Sequence, residues 1–311
     1  MKGRGIRRII VAAVMGTTVL AAGAAPSAAT YRNRNGLLAF AALTATWSQI
    51  YVMRPNGTHL RQITHSDGAD ATQEDWSPDG RWIVFAYENE NGCQLAKMHP
   101  DGSHLTRLSH GRGGCETQPS FTPDGHHLVF ERYDPVSTVD ALYRSDAQGR
   151  DLHRILVVTA TDPNVSPDGR TVSFVEFADG DYQQALSTVR MNGSHYRRLT
   201  PFSTDVAIKQ DWSPDGHHLV LSDNADVPDK AANVATIRPD GTCLRYLTHN
   251  RLAGHGAYVG SYSPDGRWII YRQEAGGLYS EMRMHPDGSH KQQITPFSTF
   301  RPRGNDWGPK P

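Results

Sequence analysis

The stretch DWSPDGRWIVF at residues 75–85 returns as DWSPDGHHLVL at 211–221 and as SYSPDGRWIIY at 261–271. Weaker copies are SFTPDGHHLVF at 120–130 and NVSPDGRTVSF at 164–174. A chain that repeats one phrase at near-constant spacing must stack near-identical units, which constrains the fold more than any composition does. A second Gly turn follows each first phrase: MRPNGTHLRQIT (53–64), MHPDGSHLTRLS (98–109), SDAQGRDLHRIL (145–156), RMNGSHYRRLT (190–200), IRPDGTCLRYLT (237–248) and MHPDGSHKQQIT (284–295). The aromatic or apolar residue opening the first phrase falls at Trp76, Phe121, Val165, Trp212, Tyr262 and Trp307, a period of about 45 residues.

The sixth site is cut short as DWGPKP at the C-terminus, and its continuation stands at the other end of the chain. NGLLAF at 35–40 aligns with the run after the first Gly in the other copies. The repeat is complete only when the two ends meet. Pro sets φ for the first corner of a turn, Asp caps it and Gly accepts positive φ, so each Pro-Asp-Gly reads as a tight reversal. Alternating runs such as RWIVFAY read as strands, and no segment sustains a helical period. The expected fold is all-β: a six-bladed β-propeller of four-stranded antiparallel blades. Its ring closes by pairing of the C-terminal strand around Asn305–Trp307, innermost, with the N-terminal strand around Leu37–Phe40. On this reading the phrase builds the frame, its aromatic packing between neighbouring blades. The residue opening it (Asp75, Ser120, Asn164, Asp211, Ser261, Asp306) makes a repeated structural hydrogen bond.

These residues resemble the TolB-type propeller repeat, W-S-P-D-G-[RK]-x-[IL]-x-[FY] followed by a Gly turn and L-T, over about residues 31–311. The resemblance implies the propeller fold but spans several functions. Similar repeats occur in periplasmic TolB, in the propeller caps of prolyl oligopeptidases and dipeptidyl peptidases, in the tricorn protease and in oligogalacturonate lyases. The sizeable α/β domain of TolB has no counterpart between the leader and the first strand. The peptidases imply a G-x-S-x-G elbow, which this sequence does not contain. The lyases imply a metal among histidines in the channel.

The histidines do not suit that metal site. Of 15, five follow the second turn (His59, His104, His153, His195, His290), and His99, His285, His126, His127, His217 and His218 also flank bottom turns. Residues of different blades lie too far apart to share one ion with bonds of about 2 Å. His65, His110 and His249 belong near the outer rim, leaving His255 to approach the channel. The loops joining blades lie on the opposite, top face. Their variable charges nominate Asp70, Arg112, Glu116, Asp162, Lys209, His255 and Arg303 as ligand- or partner-binding residues. No cofactor is expected, apart from a structural calcium ion left open at the acidic loop SDNADVPDKAAN (222–233).

The N-terminus carries Lys2, Arg4, Arg7 and Arg8 before an apolar run from Ile9 to Ala22, then small residues. Residues 1–29 therefore read as a secretory signal peptide, followed by one propeller domain over 30–311. The mature chain holds 28 basic against 32 acidic groups, a balance that argues against a nucleic-acid or anionic-lipid partner. Three cysteines in an exported chain suggest one disulfide. Cys93 and Cys115 both lie on top of the second blade, so they are expected to pair and leave Cys243 free. The function expected is a secreted, monomeric, non-enzymatic propeller that binds a protein, peptide or glycan. The alternative is a small lyase or hydrolase with a channel-mouth site around His255.

Overall fold

The computed structural model describes residues 34–108, 114–134, 139–178, 183–223 and 231–311. The signal-peptide reading of 1–29 and Arg112 lie outside the described residues, as does most of the 222–233 loop. Six four-stranded antiparallel sheets follow one another around a ring. The first blade is made of β1 (Asn35–Leu43), β2 (Ser48–Met53) and β3 (Arg61–Gln62), with the chain's last strand, β24 (Pro302–Pro309), on its inner edge. Blade two runs from β4 (Ala69–Trp76) through β5 (Ile83–Asn89) and β6 (Gly92–Met98) to β7 (Thr106–Arg107). Blades three to six repeat that order. Their innermost strands are β8 (Cys115–Phe121), β12 (Ala160–Val165), β16 (Val206–Trp212) and β20 (Ala257–Tyr262).

Ring closure is as the split repeat predicts. β24 pairs antiparallel with β1, placing Leu38 opposite Trp307 and Ala39 opposite Asp306. The core is not one mass but a set of layers, each filling the wedge between two blades. One cluster joins Ile50, Val52 and Ile63 of blade one to Trp76, Ile83, Phe85 and Met98 of blade two. The layer that seals the ring joins Leu38, Phe40 and Trp307 to Ile270 of blade six. Burying each such large side chain contributes about 1.5–3 kcal/mol, so every blade contact adds to closure.

The phrase also ties the blades through polar bonds. The residue before each aromatic reaches the backbone N–H of the next blade's aromatic. Asp75 Oδ2 accepts from Phe121 at 2.7 Å, Asp211 Oδ2 from Tyr262 at 2.8 Å and Ser261 Oγ from Trp307 at 2.8 Å. Asn164 donates instead, to the Gln210 carbonyl at 3.0 Å. The second-turn glycines serve the same contact: a Cβ on Gly102, at φ +87°, would stand 2.7 Å from the Ile63 carbonyl oxygen of the preceding blade. The recurring sequence is therefore the glue between units as well as the corner of each.

The Cys93–Cys115 disulfide is present, joining β6 to β8 with Cα atoms 4.6 Å apart, and Cys243 is free and exposed. It staples the top of blade two to the top of blade three.

Candidate functional site

Both turns of each blade fall on one face, so the top face is rimmed by the inter-blade connections and the second-to-third-strand loops. There the six innermost strands surround a cavity of about 490 Å³. Each of those strands carries an irregularity in its pairing three residues or so before the aromatic, as between Thr72 and Asp75, Thr117 and Ser120, Thr161 and Asn164, and Val206 and Gln210. A bulge lets one residue leave the alternation and re-aims its side chain. The bulged residues are Gln73 (φ 60°), Gln118 (φ 54°), Asp162 (φ 51°), Lys209 (φ 138°) and Gly304 (φ 67°). With Val259, they are the six equivalent positions of the repeat, and all six line the cavity. Positive φ in four non-glycine residues is a conformational cost held in place by the ring.

Asp162 accepts the Gln210 N–H at 2.7 Å, and Gln73 accepts the Gln118 N–H at 3.0 Å, so the bulges also brace one blade against the next. Lys209 sits among Asp162, Asp306, Asp211 and Asp75, whose combined negative charge raises its pKa in spite of burial. Burial and the neighbouring Asp306 in turn push Asp211 up to about 7, against the pull of Lys209. Asp75 is raised by the same causes, and burial raises Asp162. Glu74, 2 % exposed, is raised by burial; its closest donors are backbone N–H groups of its own residue and Ala41, and neither oxygen makes a well-formed hydrogen bond. Gly304 leaves room over that carboxyl: a Cβ there would lie 3.6 Å from Glu74 Oε1.

Toward the mouth, Asp70 Oδ1 accepts the Ser48 N–H at 2.5 Å, and Glu88 beside it is raised by burial and by Asp70. On the opposite side Arg272 donates to the Pro302 carbonyl at 2.8 Å and lies 4.6 Å from the centre of the Tyr258 ring. Arg301 and Arg272 both face Tyr279, at 5.1 and 5.6 Å. Burial and Arg301 hold the Arg272 pKa down. Among the described residues none of Asp70, Glu88, Asp162, Lys209, Arg272, Arg301 or Arg303 forms an ion pair within 4.0 Å.

The structure gathers four of the residues nominated from sequence, Asp70, Asp162, Lys209 and Arg303, around this one cavity. They stand on strands rather than on loops, because the innermost strands begin earlier than the loop reading allowed. Glu116 lies on β8 but is buried against the Arg132 guanidinium and does not line the cavity. His255 is exposed, its Nδ1 3.3 Å from the Ala253 carbonyl, and it too stays outside the lining, so the expected approach to the channel is not seen. Sequence reasoning missed Gln73, Glu74, Gln118 and Arg272. Their signal was available: a polar residue two or three places before the repeat's aromatic, on the strand facing the hub. Among the described residues no histidine lines the cavity, and no three His, Cys, Asp or Glu side chains converge as a metal site.

Comparison with known proteins agrees with this architecture. The chain is 28% identical to the uncharacterized protein Atu1656 of Agrobacterium fabrum over 153 residues, covering 48% of this chain and 46% of that one. It spans less than half the length of the curated relatives it matches. Among solved structures, TolB from Acinetobacter baumannii superposes with a TM-score of 0.72 at 19% identity, over 88% of this chain and 67% of that one. A chain of the nidogen/laminin complex gives 0.67 at 12% identity, over 86% and 97%. These likenesses show the fold. The family model of the TolB beta propeller domain matches residues 17–138 and 112–310, and the chain belongs to that family.

Proposed function

We propose that this is an exported, monomeric, non-enzymatic propeller whose top face binds a polypeptide partner, with a segment of the partner seated in the central cavity. The observation that carries the reading is the set of unpaired charges of both signs held at the mouth, with Asp70 and Glu88 on one side and Arg272, Arg301 and Arg303 on the other. Side chains left without ion partners on a rigid frame are disposed to meet those of a ligand, which gives orientation as well as affinity. Exposed apolar side chains stand on the same face, among them Leu43, Ile208, Leu252, Leu278 and Phe297. Aliphatic contacts of this kind suit a polypeptide better than a glycan, which presents hydroxyls. That a chain of the nidogen/laminin complex shares the fold supports a protein partner by analogy only. No helix among the described residues is long and apolar enough to cross a membrane. Export rests on the N-terminal sequence.

The test places a photo-crosslinking residue at Ile208, which is 54% exposed and lines the cavity, and irradiates the protein in the secreted fraction of its host. A discrete polypeptide adduct, lost in the Asp70→Asn/Arg301→Gln/Arg303→Gln variant, supports the reading. Equal adducts in both proteins, or capture of a glycan in place of a polypeptide, overturns it.

A further inference from the structure

On the bottom face, blades two and six carry the same side-chain stack. Trp82 lies with its ring centroid 4.2 Å from that of His99, which in turn lies 4.3 Å from His104. Across the ring, Trp268, His285 and His290 repeat the spacings at 4.4 and 4.3 Å. A cation covers the outer tryptophan face in each case, Lys97 at 5.0 Å and Arg283 at 4.4 Å from the ring centre. The three ring positions are filled together in these two blades and in no other. His59 and His195 occupy the place of His104 in blades one and four, but the partner place five residues earlier holds Arg54 and Arg190.

Each histidine pair shares one anchor. Ser103 Oγ lies 2.9 Å from His104 Nδ1 and 3.4 Å from His99 Nδ1, and Ser289 Oγ lies 2.9 Å from His290 Nδ1 and 3.5 Å from His285 Nδ1. Ser103 Oγ donates its own proton to Asp101 Oδ1 at 2.6 Å, so toward the rings it can only accept. That assigns the ring proton of His104 to Nδ1 and leaves the lone pair on Nε2. The Ser289 hydroxyl is committed to Asp287 in the same way. A histidine whose Nδ1–H is tied back through a hydroxyl to a carboxylate is oriented as metal-ligating histidines usually are.

We propose that each pair, His99 with His104 and His285 with His290, binds one borderline divalent transition-metal ion through its two Nε2 atoms, with water completing the coordination. Imidazole donors suit copper, nickel and zinc, and at a given site copper(II) binds most tightly of the divalent series. The Trp–His contact makes the site self-reporting, since a paramagnetic ion on the neighbouring ring quenches indole emission.

The test titrates copper(II) chloride, in a buffer that does not bind copper, into the full folded chain while following heat and tryptophan fluorescence. Two equivalents per chain with quenching are expected, with zinc weaker and magnesium without effect. His104→Ala is expected to remove one equivalent, His290→Ala the other, and the double variant both along with the quenching. His59→Ala and His195→Ala, which lack a partner ring, should leave the pair sites unchanged. Ser103→Ala is expected to weaken its site by about tenfold or more while keeping both rings. All these side chains but that of Ser103 are exposed, so unchanged melting curves establish that the variants fold. Retention of both equivalents and the quenching in the double variant would overturn the proposal. Equal losses in the single-ring controls would as well.

Discussion

The carboxylate of Asp306, in the last strand, accepts the backbone N–H of Trp76 at 3.1 Å across 230 residues of chain. It is the same bond that Asp75 makes to Phe121 and Asp211 makes to Tyr262. The join between the two ends is therefore chemically equivalent to the contacts inside the ring. Removing β24, residues 302–311, would uncover the edge of β1 and the buried side chains of Leu38 and Phe40. Exposed edges and apolar faces seek other chains. The truncated protein is expected to melt well below the intact one and to self-associate in analytical ultracentrifugation. A monomer with an unchanged melting temperature would contradict closure as the source of stability.

A single atom of that join can be tested more gently. Ser261 Oγ accepts the buried N–H of Trp307, and Ser261→Ala would leave that donor without a partner. An unsatisfied buried donor costs about 1–3 kcal/mol, which for a domain of this size lowers the melting temperature by about 2–4 °C per kcal/mol. Calorimetry of the variant measures it. A change within error would mean that water or a backbone shift replaces the bond.

How much of this was legible in the sequence depends on the range of the interaction. The blade count, the shared first blade and the Cys93–Cys115 pairing followed from phrases and turns that recur at fixed offsets. The cavity did not. Gln73, Gln118 and Asp162 adopt positive φ without the glycine that normally announces it, so the bulges have no local signal. Glu116 reads as a free rim charge until the register of β8 on the next strand puts Arg132 opposite it. His255 drew notice by its place in a loop, yet a loop position fixes no side-chain direction. Variation between repeats marked the right strands, and strand pairing decided which of their residues face the hub.

The disulfide closes a loop with a sequence separation of 22 between β6 and β8. Closure of a loop of that size restricts the unfolded chain enough to stabilise the protein by about 3 kcal/mol. Cys93→Ser/Cys115→Ser is expected to lose that amount in urea denaturation. The unreduced, denatured wild type should titrate one thiol, that of Cys243. Three thiols would contradict the bridge.

Lys209 is the central cation among Asp75, Asp162, Asp211 and Asp306. Replacing it with methionine keeps the length of the side chain but leaves those carboxylates facing one another. Breaking a buried charge arrangement by removing one partner costs about 3–5 kcal/mol. The defect should be largest at pH 8 and shrink toward pH 5, where carboxyls freed of their cation take up protons and the repulsion falls. Denaturation of wild type and Lys209→Met at the two pH values decides this. A defect independent of pH would make Lys209 a packing residue rather than a counter-ion.

Glu281 is buried under the join of blades six and one, where Asn305 Nδ2 donates to its Oε2 at 2.6 Å while Oε1 finds no partner. Burial pushes its pKa from the ordinary 4.5 up to about 8, opposed by Asn305 and Arg272. Between those two values the folded chain holds a proton that the unfolded chain has released. Its contribution to stability is whole below pH 4.5 and declines as the pH rises to about 8, beyond which it is constant. Each pH unit of that window corresponds to about 1.4 kcal/mol. Glu281→Gln retains the shape and an oxygen for Asn305 but cannot ionise. The variant is expected to gain on the wild type by about 1 kcal/mol or more between pH 5 and pH 8, measured as the difference in unfolding free energy at the two pH values. Parallel pH profiles would place the ionised carboxylate, held by Arg272, in the native state instead.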